Sequence, residues 1–131
     1  MGKPQVIMLS DAIPVLFAAT TDAGLAQRFY CGILGLRRVA DTPFALVLQS
    51  GSVVLRLQKV PAFVPQPFTA LGWQVSDLAA IVAGLGAAGV DLARFDSLGQ
   101  DADGIWTTPD RTRIAWFHDP DGNLLSLTEP G

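Results

Sequence analysis

The chain says the same thing twice, and that echo restricts its fold more than any other feature. The first copy opens on an apolar run at 13–19, followed by Thr20-Thr21-Asp22, a helical stretch to Leu34, and Gly35-Leu36. The second opens on 69–75, followed by Ser76-Asp77, a helical stretch to Ala88, and Gly89-Val90. Asp22 and Asp77 stand 55 residues apart, and Gly35 and Gly89 stand 54 apart. Residue types match weakly, whereas order and spacing match well.

Each copy reads as a strand, a helix and then three strands. Thr21 or Asp22 opens the first helix and Ser76 or Asp77 the second, because their side-chain oxygens can accept an orphan backbone N–H. Leu25, Phe29 and Ile33, with Ala26 and Tyr30, give the first helix its apolar face; Leu78, Ile81, Val82 and Leu85 do so for the second. Gly35 suits a left-handed stop, while Gly84 and Gly86 weaken the second helix. Strands are expected at 37–41, 44–49 and 52–60 in the first copy. In the second they are expected at 91–95, 104–108, 113–118 and 124–128, with 96–103 as a mobile polar loop. Ser50-Gly51 reads as a hairpin turn. Pro61, Pro65 and Pro67 break pairing. The 131 residues therefore divide into a first module at about 11–60, a linker at 61–67 and a second module at about 68–130, all within one domain.

Composition narrows the function. At 50% hydrophobic and 16% charged residues the chain is not intrinsically disordered. A net charge of −3 supplies no basic stripe, so no nucleic-acid partner is expected. No apolar run reaches the roughly 18 residues of a membrane span, so no membrane partner is expected. The 6–9 run is too short for a signal peptide, and a cytoplasmic setting is expected. Cys31 has no partner for an internal disulfide. His118 is the one histidine, and Glu129 stands alone beside eleven aspartates.

The first strand of each copy is apolar on both faces. Ile13, Val15, Phe17 and Ala19 alternate with Leu16 and Ala18. A sheet covered on one side only would carry polar residues on the other. The second face therefore has to meet the other half, a second chain or an apolar ligand.

The segment Ala115-Trp116-Phe117-His118-Asp119-Pro120-Asp121-Gly122-Asn123, followed by Leu124 to Leu127, resembles the C-terminal hairpin of the vicinal oxygen chelate superfamily. This superfamily contains glyoxalase I, bleomycin-resistance proteins and extradiol dioxygenases. Phe29-Tyr30 with Leu34-Gly35-Leu36 resembles the helix exit of its first module. The resemblance implies an α+β fold of two βαβββ modules, with curved mixed sheets around a cleft and commonly two subunits. It also implies four metal-ligand positions, which fall on Val15, Arg56, Ala70 and Ser126, with the register at Arg56 uncertain by one or two. Val and Ala have no donor atom, Arg keeps its proton and Ser is a weak ligand. Metal chemistry is therefore not inherited with the fold, and no cofactor is expected.

Other residues carry two readings each. Arg56 either points into the cleft, where its planar fork suits a carboxylate, phosphate or phenolate, or forms a salt bridge with an Asp or Glu129. Trp106 and Trp116 offer flat faces to an aromatic ligand or pack in a core or dimer interface. By strand parity Phe17, Gly72 and Gln74 also line the cleft. His118 reads as an exposed strand end rather than a ligand contact, Cys31 as a buried inert thiol, and Tyr30 as packing rather than a general acid. The run Gly84 to Gly89 mimics a dinucleotide fingerprint but closes a helix instead of opening one. Asp96, Asp101 and Asp103 lack the regular spacing of a calcium loop.

The expectation is a homodimeric, metal-free protein that binds a small molecule in an inter-module cleft. The site would comprise Val15, Phe17, Arg56, Ala70, Gly72, Gln74, Trp106, Trp116 and Ser126. Its ligand is expected to be apolar or aromatic, with scope for an anionic group. The bleomycin version fits less well, because a cationic drug does not suit a groove holding an arginine. The rival readings are an enzyme of the same superfamily with an atypical or absent metal site, and a structural dimer without ligand.

Overall fold

Asp22 and Asp77 each start a helix, as their places in the repeat predict. In the computed structural model, which describes residues 8–131, the Asp22 carboxylate accepts from Leu25 N–H at 3.0 Å and the Asp77 carboxylate from Ala80 N–H at 3.2 Å. The helices are α1 (Ala23–Gln27) and α2 (Leu78–Ala87). Strands β1 (Val15–Thr20), β2 (Arg37–Asp41), β3 (Ala45–Ser50) and β4 (Val53–Lys59) surround α1 in sequence. Strands β5 (Thr69–Gln74), β6 (Trp106–Thr107), β7 (Arg113–His118) and β8 (Leu124–Glu129) surround α2. The run at 6–9 begins outside the described residues.

The architecture is α+β, two βαβββ units forming two four-stranded mixed sheets in the orders β1-β4-β3-β2 and β5-β8-β7-β6. In each, the opening strand pairs in parallel with the closing strand and the other ladders are antiparallel. The inner faces of both sheets and both helices share one apolar core. It includes Leu46, Leu48 and Leu57 from the first sheet, Phe117 and Leu125 from the second, and Tyr30 and Leu78 from the helical segments.

Both helices end on the same device. Gly35 (φ 76°) lets Leu36 N–H reach back to the Tyr30 carbonyl at 2.9 Å. Gly89 (φ 82°) lets Val90 N–H reach the Leu85 carbonyl, also at 2.9 Å. Only glycine takes that backbone conformation without a steric penalty.

Three expectations need correcting. First, α1 runs into a π-helical turn, Arg28–Ile33, where Leu34 N–H bonds five residues back to Phe29. The wider turn breaks the 3.6-residue period. Ala26, Phe29 and Tyr30 are buried, while Leu25 and Ile33 stay exposed. Second, 91–95 forms no strand. Leu92 makes one bridge to Phe117, and Ala93 N–H bonds the Trp116 carbonyl. The outer edge of β7 is thus shared, with Trp106–Thr107 pairing Arg113 and Ile114 and the Leu92 segment taking the rest. Third, 96–103 is pinned rather than loose. Arg94 donates to the Asp101 and Ala102 carbonyls, and Gln100 bonds Phe95 N–H and the Ala93 and Gly104 carbonyls. The Asp101 carboxylate accepts from Asp103 and Ile105 N–H. A polar loop stays put when its side chains satisfy its own backbone.

The Asp119–Asn123 turn fastens one module to the other. Asp119 is 6% exposed. Its carboxylate accepts from Tyr30 Oη–H (2.7 Å), Asn123 Nδ2–H (2.8 Å) and the Asp121 and Asn123 backbone N–H groups (2.9 Å each). Asn123 Nδ2 also donates to the Ala19 carbonyl at 3.0 Å. Asp121 accepts from Thr21 N–H and Oγ1–H. Partial burial alone would push the Asp121 carboxyl up, but hydrogen bonds from Thr20 and Thr21 hold it below the usual carboxylate range. Burial and the Asp119 charge push the Tyr30 phenol far above its ordinary value, so it stays a donor. Removing that donor with Tyr30→Phe should lower the unfolding free energy by about 1.5–3 kcal/mol, the usual worth of a hydrogen bond to a charged group. Urea titration measures it; an unchanged midpoint and slope would mean the modules are held together by other contacts.

Candidate functional site

Strand register decides which of the predicted residues share a surface. Pairing of β1 with β4 sets Val15 opposite Val54 and Phe17 opposite Arg56. Pairing of β3 with β4 sets Val47 on the other side of Arg56. Leu55 and Leu57 alternate with Arg56 and point into the core. Arg56 therefore stands on the outer face of the first sheet, half-buried between an aromatic and an aliphatic neighbour. Val15 and Phe17 on that face are 45% and 53% exposed.

The salt-bridge reading of Arg56 has no support. Among the described residues the ion pairs are Lys59–Asp41 and Arg113–Glu129, and Arg56 is in neither. Glu129 is engaged elsewhere. One of its oxygens takes Leu78 N–H at the start of α2, and the other takes Arg113.

The second sheet presents an aromatic counterpart. Gly72 pairs Ser126, which pairs Trp116, so the three form one row across β5, β8 and β7. Gln74 pairs Thr128 one step further along. Trp106 on β6 stacks on Trp116 with ring centroids 6.2 Å apart and planes 28° from parallel. Phe95 meets Trp116 edge-on at 5.4 Å. Phe95 escaped the sequence reading because 91–95 was expected as a strand, whereas the segment docks by a single bridge at Leu92 and its side-chain directions do not follow strand parity. Ala70 lies at a register irregularity between Thr69 and Leu71, and is exposed. His118 is an exposed strand end opposite Leu124. Cys31 is half-buried, and burial pushes its thiol up while Arg38 opposes.

Val15, Phe17 and Arg56 thus form one group, and Gly72, Gln74, Ser126, Trp106 and Trp116 a second. A single chain does not enclose the two groups in one of its described cavities. The hollows between the modules are lined by another set, which reaches only Gly72 and Gln74 of the nine.

The four positions where the resemblance places metal ligands do not fit a divalent ion. Val15 and Ala70 offer no donor atom, Arg56 is a cation, and Ser126 alone supplies a hydroxyl. Among the described residues no three His, Cys, Asp or Glu side chains cluster as a metal site would require.

Two sheets built on one βαβββ order, with this turn and these positions, describe a glyoxalase-like scaffold. The glyoxalase/bleomycin resistance protein/dioxygenase superfamily model matches residues 12–127, and the chain belongs to that superfamily. The chain is similar to the solved structure of TnmS3, an antibiotic binding protein from Streptomyces sp. CB03234. Identity is 26%, coverage is 95% of this chain and 100% of that one, and the TM-score is 0.73. It shares its fold with a glyoxalase family protein from Bacillus anthracis (15% identity, 92% and 96% coverage, TM-score 0.73). The same holds for lactoylglutathione lyase from Agrobacterium tumefaciens (18% identity, 97% and 96% coverage, TM-score 0.71). No curated protein matches the sequence.

Gly72 supplies a test of the row it sits in. A Cβ there would lie 2.6 Å from Ser126 Oγ. Ser126 Oγ can turn aside, so Gly72→Ala should cost no more than about 1 kcal/mol through overpacking. The double variant Gly72→Ala/Ser126→Ala should recover most of it in a thermal-unfolding cycle. Additive losses would show that the two side chains do not share one space.

Proposed function

We propose that the chain is a homodimeric small-molecule binding protein that works without a metal. Its ligand is apolar or aromatic and carries an anionic group for Arg56. One observation carries the reading: where metal-dependent relatives place donors, this chain has Val15, Arg56, Ala70 and Ser126, on outer faces that also present Phe17, Trp106 and Trp116 beside neutral polar residues such as Gln58 and Gln74. An unpaired guanidinium between Phe17 and Val47 suits a carboxylate or phenolate held in a two-pronged hydrogen bond. Trp106, Trp116 and Phe95 supply the flat surface that an aromatic ligand stacks on. The similarity to an antibiotic binding protein agrees with binding rather than turnover.

The dimer follows from exposure. Phe17 and Val15 stand open in the single chain, and covering a Phe side chain contributes about 2 kcal/mol. An open face becomes a pocket only when something closes it. A second copy does so symmetrically, burying the same apolar strip twice. The lone, half-buried cysteine suits a reducing, cytoplasmic setting.

Tryptophan fluorescence with 2-naphthoate and its neutral methyl ester tests the site. Arg56→Ala should weaken the carboxylate about tenfold or more and leave the ester within a factor of two. Equal loss for both would make Arg56 a packing residue. Stoichiometric metal in the purified protein, with ligand binding abolished by chelation, would favour the enzyme reading instead. For the assembly, Phe17→Asp should convert a dimer to a folded monomer in analytical ultracentrifugation. A wild-type monomer at micromolar concentration would remove the dimer from the proposal.

A further inference from the structure

The two modules leave a hollow of about 440 Å³ in their seam, on the helix side of the sheets. Leu34 and Leu36 close it from the first module, and Trp73, Ile81, Gly84 and Phe117 from the second. A smaller hollow of about 200 Å³ adjoins it and shares the Leu36, Ser50, Trp73 and Gln74 walls. The hollow is open to solvent on one side, and its volume falls in the usual range for small-molecule pockets.

Gly84 is the second observation. It sits inside α2, where glycine is less favourable than alanine. Its φ is not positive, so no turn requires it. A Cβ placed there would meet nothing within 4 Å, so no close neighbour requires it either. Gly86 shares these features but lines a different groove; Gly84 lines the hollow, and without a side chain it adds nothing to fill it.

We infer that this hollow is a ligand site separate from the Arg56 face, for a neutral and mostly apolar molecule carrying one hydrogen-bond acceptor. Neutrality follows from the walls, none of which carries a charge. The acceptor follows from Ser50. Its Oγ accepts the Trp73 indole N–H at 3.1 Å, which leaves the hydroxyl proton to donate. Trp73 and Phe117 give the walls their aromatic area. Because the walls come from both modules, an occupant also bridges them.

Prodan, a neutral naphthalene ketone whose emission shifts to the blue in apolar surroundings, is the probe. It should bind the wild-type protein saturably. Gly84→Leu, which fills the hollow, should weaken it about tenfold or more, and Ser50→Ala several-fold. Gly86→Leu is the control, because Gly86 lines the groove on the other side of α2 and also has open space at its Cβ; it should bind as wild type. Thermal melts establish that each variant is folded, and Ile81→Trp serves as a second filling substitution if Gly84→Leu is not. Unchanged Prodan binding in the folded filling variant, equal loss in Gly86→Leu, or no saturable binding to wild type overturns the proposal. Failure of the naphthoate experiment leaves this result untouched, since the walls of the hollow include neither Arg56 nor Trp106 and Trp116.

Discussion

A carboxylate withdrawn from water needs all its hydrogen bonds made, and Asp119 makes its bonds with both halves of the chain. Tyr30 comes from the first module, Asn123 and the turn backbone from the second. Leaving such a group short of a donor costs about 1.5–3 kcal/mol, so the turn and the helical segment have to meet in one geometry. Asn123 carries the constraint onward to the end of β1 through Ala19. Tyr30 carries it into the exit of its helix, because its carbonyl receives Leu36 N–H. The π-helical turn, the end of β1 and the last hairpin are thus set together. Gly122 (φ 89°) and Pro120 shape the turn that makes this possible.

The outer faces bear on chemistry in a different way. A metal ion gives a site of this family a fixed positive charge and a Lewis acid. On the proposed reading, Arg56 keeps the charge and lacks the Lewis acid. Its five N–H donors can hold an anionic oxygen, but a guanidinium that never loses its proton neither polarises a bond strongly nor generates a nucleophile from water. On the proposed reading the substitution keeps recognition and gives up activation, which is what a binding protein requires.

Much of this was legible in the sequence, for local reasons. The helix starts at Asp22 and Asp77, the stops at Gly35 and Gly89 and the Asp119–Asn123 turn depend on contacts within a few residues, so their residue types announce them. The face of Arg56 was legible because strand parity is strict. The π-helical turn was not, since Tyr30 within it meets a carboxylate 89 residues away, a contact that helical periodicity does not reveal. The split fourth strand of the second sheet was also hidden. Its two pieces are selected by what remains open along β7, which only the assembled sheet defines. Phe95 joined the aromatic cluster for the same reason, as Ala93 and Leu92 dock its segment beside Trp116.

β5 shows why the seam hollow in particular left so little trace. The strand is apolar on both faces, and the sequence posed that as a single question about what covers the second face. In the folded chain the question has two answers on one strand. Gly72 lies in the row with Ser126 and Trp116 on the outer side, and a side chain there would strike Ser126. Trp73, one residue on, turns inward to Ser50 and walls the hollow. Gly72 is small because the space is taken, and Gly84 is small although the space is free. The same residue type thus marks opposite conditions, and only the surrounding volume tells them apart.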